Sequence, residues 1–143
     1  MTPVSLVLVT HNSEAHIEAS LGILLSDPDG RDCYVEVKNM TLCHGAGRGS
    51  FPDARSTRAV KHVRALARRV ASGDRAVLLF CVQHTGIERA TLADEIDPDY
   101  AAAVRSAAAA GVEVHAFGCR IDRAEIRISG ELPVDLRDQR PLD

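Results

Sequence analysis

The chain has 143 residues, 45% of them hydrophobic, with only three Phe, two Tyr and no Trp, and a formal net charge of −3. That is enough chain for one domain with a mainly aliphatic core. No apolar run approaches the roughly 18 residues of a membrane span, no basic-then-apolar leader opens the sequence, and the net charge by itself points to no polyanionic partner. The expectation is a soluble, cytoplasmic protein with no membrane partner.

Residues 4–10 (VSLVLVT) have the composition of a short strand, whereas 11–19 are polar and ambiguous. Residues 20–25 (SLGILL) read as another strand, which ends in Ser26-Asp27-Pro28-Asp29-Gly30. In that turn Pro presets φ, Asp bonds its own backbone and Gly takes the positive φ. A strand over 32–42 follows directly, so 20–42 is predicted to be a β-hairpin. Three glycines fall among residues 43–50 (CHGAGRGS). They predict a flexible loop, because the lysine and hydroxyl of a phosphate-binding P-loop are absent.

Asp53 is a fitting N-cap for a long helix that runs to 71 or 72 and stops at Gly73. Val60, Val63, Leu66, Ala67 and Val70 form its apolar stripe. Between 54 and 72 stand Arg55, Arg58, Lys61, Arg64, Arg68 and Arg69, with no carboxylate. At about 100° per residue, Arg58, Lys61 and Arg68 lie almost opposite the stripe. Solvated helix faces normally mix signs. An all-basic face therefore reads either as an anion-binding surface, with phosphate backbone the obvious anion, or as a face docked on acidic loops of the same chain.

Residues 75–83 (RAVLLFCVQ) have the continuous apolarity of a strand buried on both faces. Residues 84–95 read as a connection. Asp97-Pro98 supplies N-cap and N1 for a second helix ending at Gly111, alanine-rich and structural, with Arg105 its one cation. Strands follow over 112–121 and 124–128. Ser129-Gly130 then turns the chain into a frayed polar tail with Arg137, Asp138 and Arg140. The cysteines, Cys33, Cys43, Cys81 and Cys119, form no C-x-x-C pair and read as small buried thiols of a reducing compartment. Cys43-His44 lacks a second ligand pair at zinc spacing.

The stretch 33–39 holds the residues with chemistry. Alternation along a strand puts Glu36 and Lys38 on one face with Tyr34, and Cys33, Val35 and Val37 on the other. An E-x-K pair on a strand face is the minimum kit for metal-assisted phosphodiester chemistry. The carboxylate holds a divalent cation, the Val37 backbone carbonyl can add a ligand, and the lysine aims a water or stabilises developing charge. Taken alone, such a pair is more often two solvated side chains.

The order hairpin, helix, buried strand, helix, strand predicts an α/β fold with a mixed sheet. Within that order, Tyr34-Val35-Glu36-Val37-Lys38-Asn39, Phe51-Pro52-Asp53-Ala54 and Lys61-His62 resemble the sugar fermentation stimulation protein A family. So do Arg75-Ala76-Val77-Leu78-Leu79-Phe80, Ala93-Asp94-Glu95-Ile96-Asp97-Pro98 and Gly111-Val112-Glu113-Val114. The resemblance covers residues 20–134 and leaves 1–19 as an unassigned segment and 135–143 as a polar tail. It implies a restriction-endonuclease-like core of the PD-(D/E)-x-K superfamily, DNA binding with RNA as a second partner, and a DNA/RNA nuclease-type site using Mg2+ or Mn2+. It also implies a bacterial or archaeal cytoplasm and a link to regulation of sugar, especially maltose, metabolism. By the same resemblance Glu36 is a metal ligand and Lys38 the catalytic lysine. Arg58, Lys61 and His62 fall in the family's basic helix segment and, with Arg55 and Arg68 of the all-basic face, make the candidate nucleic-acid-binding set; Gln83 ends the strand that would abut the site, and Asp53 is a further candidate neighbour.

Two departures stand out. The family carries an N-terminal domain resembling an OB-fold, for which this chain has no room. In the hairpin's first strand, Gly22 occupies the family's aspartate position within Ala19-Ser20-Leu21-Gly22-Ile23-Leu24-Leu25. Because Mg2+ is normally fixed by one or two carboxylates plus substrate oxygens, losing one predicts weak metal binding and an impaired nuclease. Glu18 is a substitute of doubtful reach, and Asp27 and Asp29 belong to the turn. Three functions therefore remain: an impaired metal-dependent nuclease, a catalytically inactive nucleic-acid-binding regulator on a nuclease scaffold, and an α/β domain without a nucleic-acid role.

Overall fold

The structure, a computed structural model, describes residues 5–7, 23–26 and 30–140. Glu18, Gly22, Asp27 and Asp29 lie outside the described residues, and so do the expectations placed on them. The chain opens with strands β1 (Ser5–Val7), β2 (Ile23–Ser26), β3 (Asp32–Met40), β4 (Leu42–Cys43) and β5 (Arg48–Phe51). Helix α1 (Thr57–Ala71), β6 (Arg75–Val82), β7 (Arg89–Leu92) and helix α2 (Pro98–Ala109) follow, and β8 (Glu113–Ile121), β9 (Ile126–Leu132) and β10 (Val134–Asp135) complete the chain.

Two mixed sheets result, so the fold is α/β. The larger has the order β1-β2-β3-β6-β8-β9, the smaller β10-β7-β5-β4. β2 and β3 form the expected antiparallel pair, with Ile23 opposite Val35. β3, β6 and β8 run parallel, which places their carboxyl ends along one edge. On β3 and β6 the even-numbered residues face the helices: Met40, Ala76, Leu78, Phe80 and Val82 join Val60, Val63, Leu66, Tyr100 and Val104 in the main core. Cys33, Val35 and Val77 form a smaller cluster on the other face.

Several elements differ from expectation. Helix α1 is capped by Ser56, whose hydroxyl accepts from Ala59 N at 3.1 Å. Asp53 lies three residues further out, exposed, and Arg55 precedes the helix, donating from Nε to Ile96 O. The stop is as expected, with Gly73 at φ 93. The glycine-rich stretch 43–50 is not a free loop but largely the β4–β5 hairpin. Gly49 is needed there for close approach, since a Cβ would fall 2.5 Å from Ile87 Cδ1. The connection 84–95 contains β7, which pairs parallel with both β5 and β10. Its four residues are too few for a periodic signal, yet Ala90 and Leu92 are fully buried.

Ser129-Gly130 is not a turn. The reversal is at Asp122, whose carboxylate accepts from Ala124 N and Glu125 N, and β9 continues through the glycine. Gly130 stands opposite Gly118, next to a register shift at Gly118/Cys119, and glycine in a strand commonly marks such a bulge. The start of the expected frayed tail is held as well. β10 joins β7, and Arg105 both donates to Leu136 O and makes a bidentate pair with the buried Asp94.

Asp97 caps α2 as expected, Oδ1 accepting from Tyr100 N at 3.0 Å. Its other oxygen accepts from Ser56 N, the cap residue of α1, at 2.9 Å. One buried carboxylate thus sits at the N-termini of both helices, where their dipoles favour negative charge. Ser56→Ala should cost about 1 kcal/mol, the usual loss of an N-cap. Asp97→Ala should cost about 2 kcal/mol, since the buried Tyr100 N–H and the part-buried Ser56 N–H both lose their acceptor, at roughly 1–3 kcal/mol for a buried group. Urea denaturation of the two variants measures the difference.

Candidate functional site

β3 directs Glu36 and Lys38 toward α1, on the face they share with Tyr34 and Met40. Tyr34 lies beneath Arg69, whose guanidinium carbon is 4.3 Å from the ring centroid. Lys38 lies two residues from the carboxyl end of β3, the edge at which open α/β sheets place their ligands.

Three charged or titratable groups meet here. Lys38 Nζ donates to Glu36 Oε1 at 2.8 Å. His62 Nδ1 reaches the same oxygen at 2.8 Å and lies 3.1 Å from Lys38 Nζ. The Glu36 side chain is 6% exposed, that of His62 11% and that of Lys38 16%, so the cluster reaches solvent mainly through the lysine. A single nitrogen cannot donate to the carboxylate and accept from the ammonium at once. Whichever tautomer His62 adopts, two of the three contacts are hydrogen bonds and the third is only a close approach.

Tyr100, in the first turn of α2, belongs to the main core that packs on this face of the sheet. Its ring packs edge-on against Phe51 at 5.2 Å, and Phe51 lies 5.6 Å from Phe80. Phe80 is the register partner of Lys38, as Leu78 is of Glu36. Tyr100 is wholly buried, and its hydroxyl has no hydrogen-bond partner among the described residues. Burial, and then the negative charges of Glu36 and Asp97, push the phenol well above its ordinary range. A buried hydroxyl left unpaired costs roughly 1–3 kcal/mol.

The other residues singled out in the sequence fall in three places. Arg58, Lys61, Arg64 and Arg68 are exposed on α1, and none forms an ion pair among the described residues. No acidic loop among the described residues therefore covers this face. His62, grouped with these cations in the sequence, faces inward instead. Four residues before Leu66, it stands only about 40° from it around the helix, and that phase was the available signal. Gln83 lies on the opposite face from Glu36, accepting from Asn39 Nδ2 at 3.1 Å. Val37 pairs with Leu79 and turns its side chain away from Glu36. Asp53 is exposed beyond the start of α1. Tyr100 was not anticipated, since nothing in an alanine-rich helix marks one tyrosine as special. No group of three or more His, Cys, Asp and Glu able to hold a metal occurs among the described residues. His44 instead contacts Ser50 Oγ at 2.6 Å.

Residues 8–125 match the family model described as the sugar fermentation stimulation protein RE domain. A sugar fermentation stimulation protein homologue of Pseudoalteromonas atlantica is 48% identical over 119 residues, which is 83% of this chain and 50% of that protein. One from Saccharophagus degradans is 52% identical over 101 residues, 71% of this chain and 43% of that protein. The chain thus spans about half the length of the curated relatives it matches. Among solved structures, that of Pyrococcus furiosus SfsA in complex with Ca2+ superposes with a TM-score of 0.76 at 29% identity. It covers 80% of this chain and 49% of that one.

The Glu36–His62 contact has a measurable consequence. In a double-mutant cycle with Glu36→Gln and His62→Ala, unfolding free energies should show a coupling of about 0.5–3 kcal/mol, as for residues in one hydrogen-bond network. A coupling near zero would mean that the two side chains act independently.

Proposed function

The chain belongs to the sugar fermentation stimulation protein family, and we propose that it is a nucleic-acid-binding protein with a metal-dependent nuclease-type site at Glu36 and Lys38. The observation that carries the reading is the buried Glu36 carboxylate held against Lys38, at the carboxyl end of a parallel strand. Its substrate class is DNA or RNA, its reaction phosphodiester hydrolysis, and its setting the regulation of sugar (maltose) metabolism in the cytoplasm.

The donor set is compatible with a weakly held Mg2+ or Mn2+. Mg2+ retains several waters and takes one or two protein carboxylates together with substrate phosphate oxygens. Glu36 supplies one such carboxylate, the Val37 carbonyl is a further candidate, and the orphaned Tyr100 hydroxyl is a polar group that a hydrated ion could satisfy. A closed four-ligand zinc site does not fit this set. The Ca2+ in the complex with the Pyrococcus furiosus relative supports a site for hard divalent cations in the family. When bound, the cation would polarise the scissile phosphate and its water. Lys38, the most exposed member of the cluster, would neutralise charge developing on the phosphate oxygens. His62 would hold the orientation of Glu36 and Lys38 from the α1 side.

Gly22 supports the second reading, in which binding persists without cleavage. Ile23 pairs with Val35, so the residues flanking Gly22 and Glu36 stand side by side. An aspartate at position 22 is proposed to complete the site. The parent should then show little Mg2+- or Mn2+-dependent cleavage of single- or double-stranded DNA. Gly22→Asp should raise it, and adding Lys38→Ala should abolish the gain. Cleavage by the parent that survives Glu36→Ala would refute the site.

Binding is assigned to the outer face of α1. Neutralising phosphates releases counterions, with log K falling by about 0.9 per contact for each decade of salt. Replacing Arg58, Lys61 and Arg68 together by Ala should weaken DNA binding about equally for unrelated sequences and lower the salt slope by up to about 3. A triple variant that binds like the parent at low salt would remove α1 from the interface.

A further inference from the structure

We propose that Tyr100 is a positioning residue of the Glu36 site, its hydroxyl gaining a hydrogen-bond partner only when a divalent cation and its bound water occupy that carboxylate. The inference rests on the reading of Glu36 as a metal ligand and adds a residue from α2 to it.

The first support is that the hydroxyl is out of place. Tyr100 is the largest of the fully buried side chains, and its hydroxyl has no partner among the described residues. Phenylalanine would fill the same space, keep the edge-on contact with Phe51 and avoid burying an unpaired oxygen. Buried polar groups are nearly always paired, and one that is not calls for a reason.

The second support is location. The path Tyr100–Phe51–Phe80 ends on the register partner of Lys38, on the sheet face that carries Glu36. Asp97 fixes the first turn of α2 by accepting from Tyr100 N, so the ring is held on rigid backbone. Near the carboxylates of Glu36 and Asp97 the phenol keeps its proton. The hydroxyl is therefore a neutral donor facing a negative field, suited to an oxygen of a hydrated cation or of the carboxylate bound to it.

The third support is the unresolved competition at His62. Glu36 Oε1 is approached by both Lys38 Nζ and His62 Nδ1, which are themselves 3.1 Å apart. Drawing the carboxylate toward a cation would remove that competition, and a water bound to the cation is the partner proposed for Tyr100.

The test compares the parent, Tyr100→Phe and Glu36→Gln by urea denaturation in the presence of chelator and by calorimetric titration with Mn2+. Tyr100→Phe should leave the chelated protein's midpoint unchanged or higher while weakening Mn2+ binding roughly 10-fold, as expected for loss of a group that orients a metal ligand. Glu36→Gln should abolish Mn2+ binding. Parent-like Mn2+ affinity in Tyr100→Phe, with binding still lost in Glu36→Gln, overturns the role of Tyr100 alone. A lower midpoint for chelated Tyr100→Phe shows that the hydroxyl already has a partner, and overturns it too. Mn2+ binding that survives Glu36→Gln, or no Mn2+ binding by the parent, overturns the site reading and this inference with it.

Discussion

The Asp97 carboxylate is the constraint on which the rest of the structure turns. It is buried where two helices begin, accepting from Ser56 N with one oxygen and from Tyr100 N with the other. Each helix has its own dipole favouring a negative charge there. Sharing one carboxylate fixes where α1 and α2 start relative to each other, and so which of their side chains reach the sheet. From α1, His62 reaches Glu36 on β3; from α2, Tyr100 packs on Phe51, which lies against Phe80 of β6. Neither packing contact would survive if its helix slid by a turn, a shift of about 5.4 Å.

Helix α1 then separates two kinds of charge. Its inner face brings a single imidazole to a buried carboxylate and an ammonium, all within 3.1 Å of one another. Its outer face exposes Arg58, Lys61, Arg64 and Arg68 to water. In the low-dielectric interior, interactions at Glu36 are strong and depend on tenths of an ångström. At the surface, the cations act as a diffuse field that salt screens over about 8–10 Å. One helix thus presents a geometrically demanding inner face and a diffusely charged outer face.

The sequence made the architecture legible where signals were long and periodic. The stripe of α1, the continuous run of β6 and the Asp97-Pro98 start of α2 each carry several agreeing residues. It failed where burial is set by tertiary contact. β4, β5 and β7 have at most four residues each, and Gly49 looks like a loop glycine until Ile87 is seen against it. Ser56 and Asp53 are both acceptable caps by residue type, and the contact of Ser56 N with Asp97, far along the chain, is not visible in the local sequence. For the site, alternation along β3 correctly set Glu36 and Lys38 on one face. The same alternation argument, applied to β6, would have put Gln83 with Cys81, away from Leu78 and Phe80 and so away from Glu36. His62 was hidden by its neighbours: among six cations it reads as a seventh basic residue, although its phase belongs with Leu66.

The unpaired hydroxyl of Tyr100 and the glycine at position 22 bear on the proposed function from opposite sides. A protein that had ceased to need its metal would be under no pressure to keep a buried oxygen without a partner, since Tyr→Phe removes the penalty in one step without disturbing packing. A glycine in place of a carboxylate beside Glu36, by contrast, would relieve like-charge repulsion there. A buried unpaired hydroxyl together with a glycine where the resemblance implies an aspartate is the pattern expected if cation binding outlasts efficient cleavage. In that case Glu36, Lys38, His62 and Tyr100 hold a hydrated ion for contact with a phosphate. On the proposed reading, the cations of α1 would then contribute affinity for the polyanion whether or not the bond is broken.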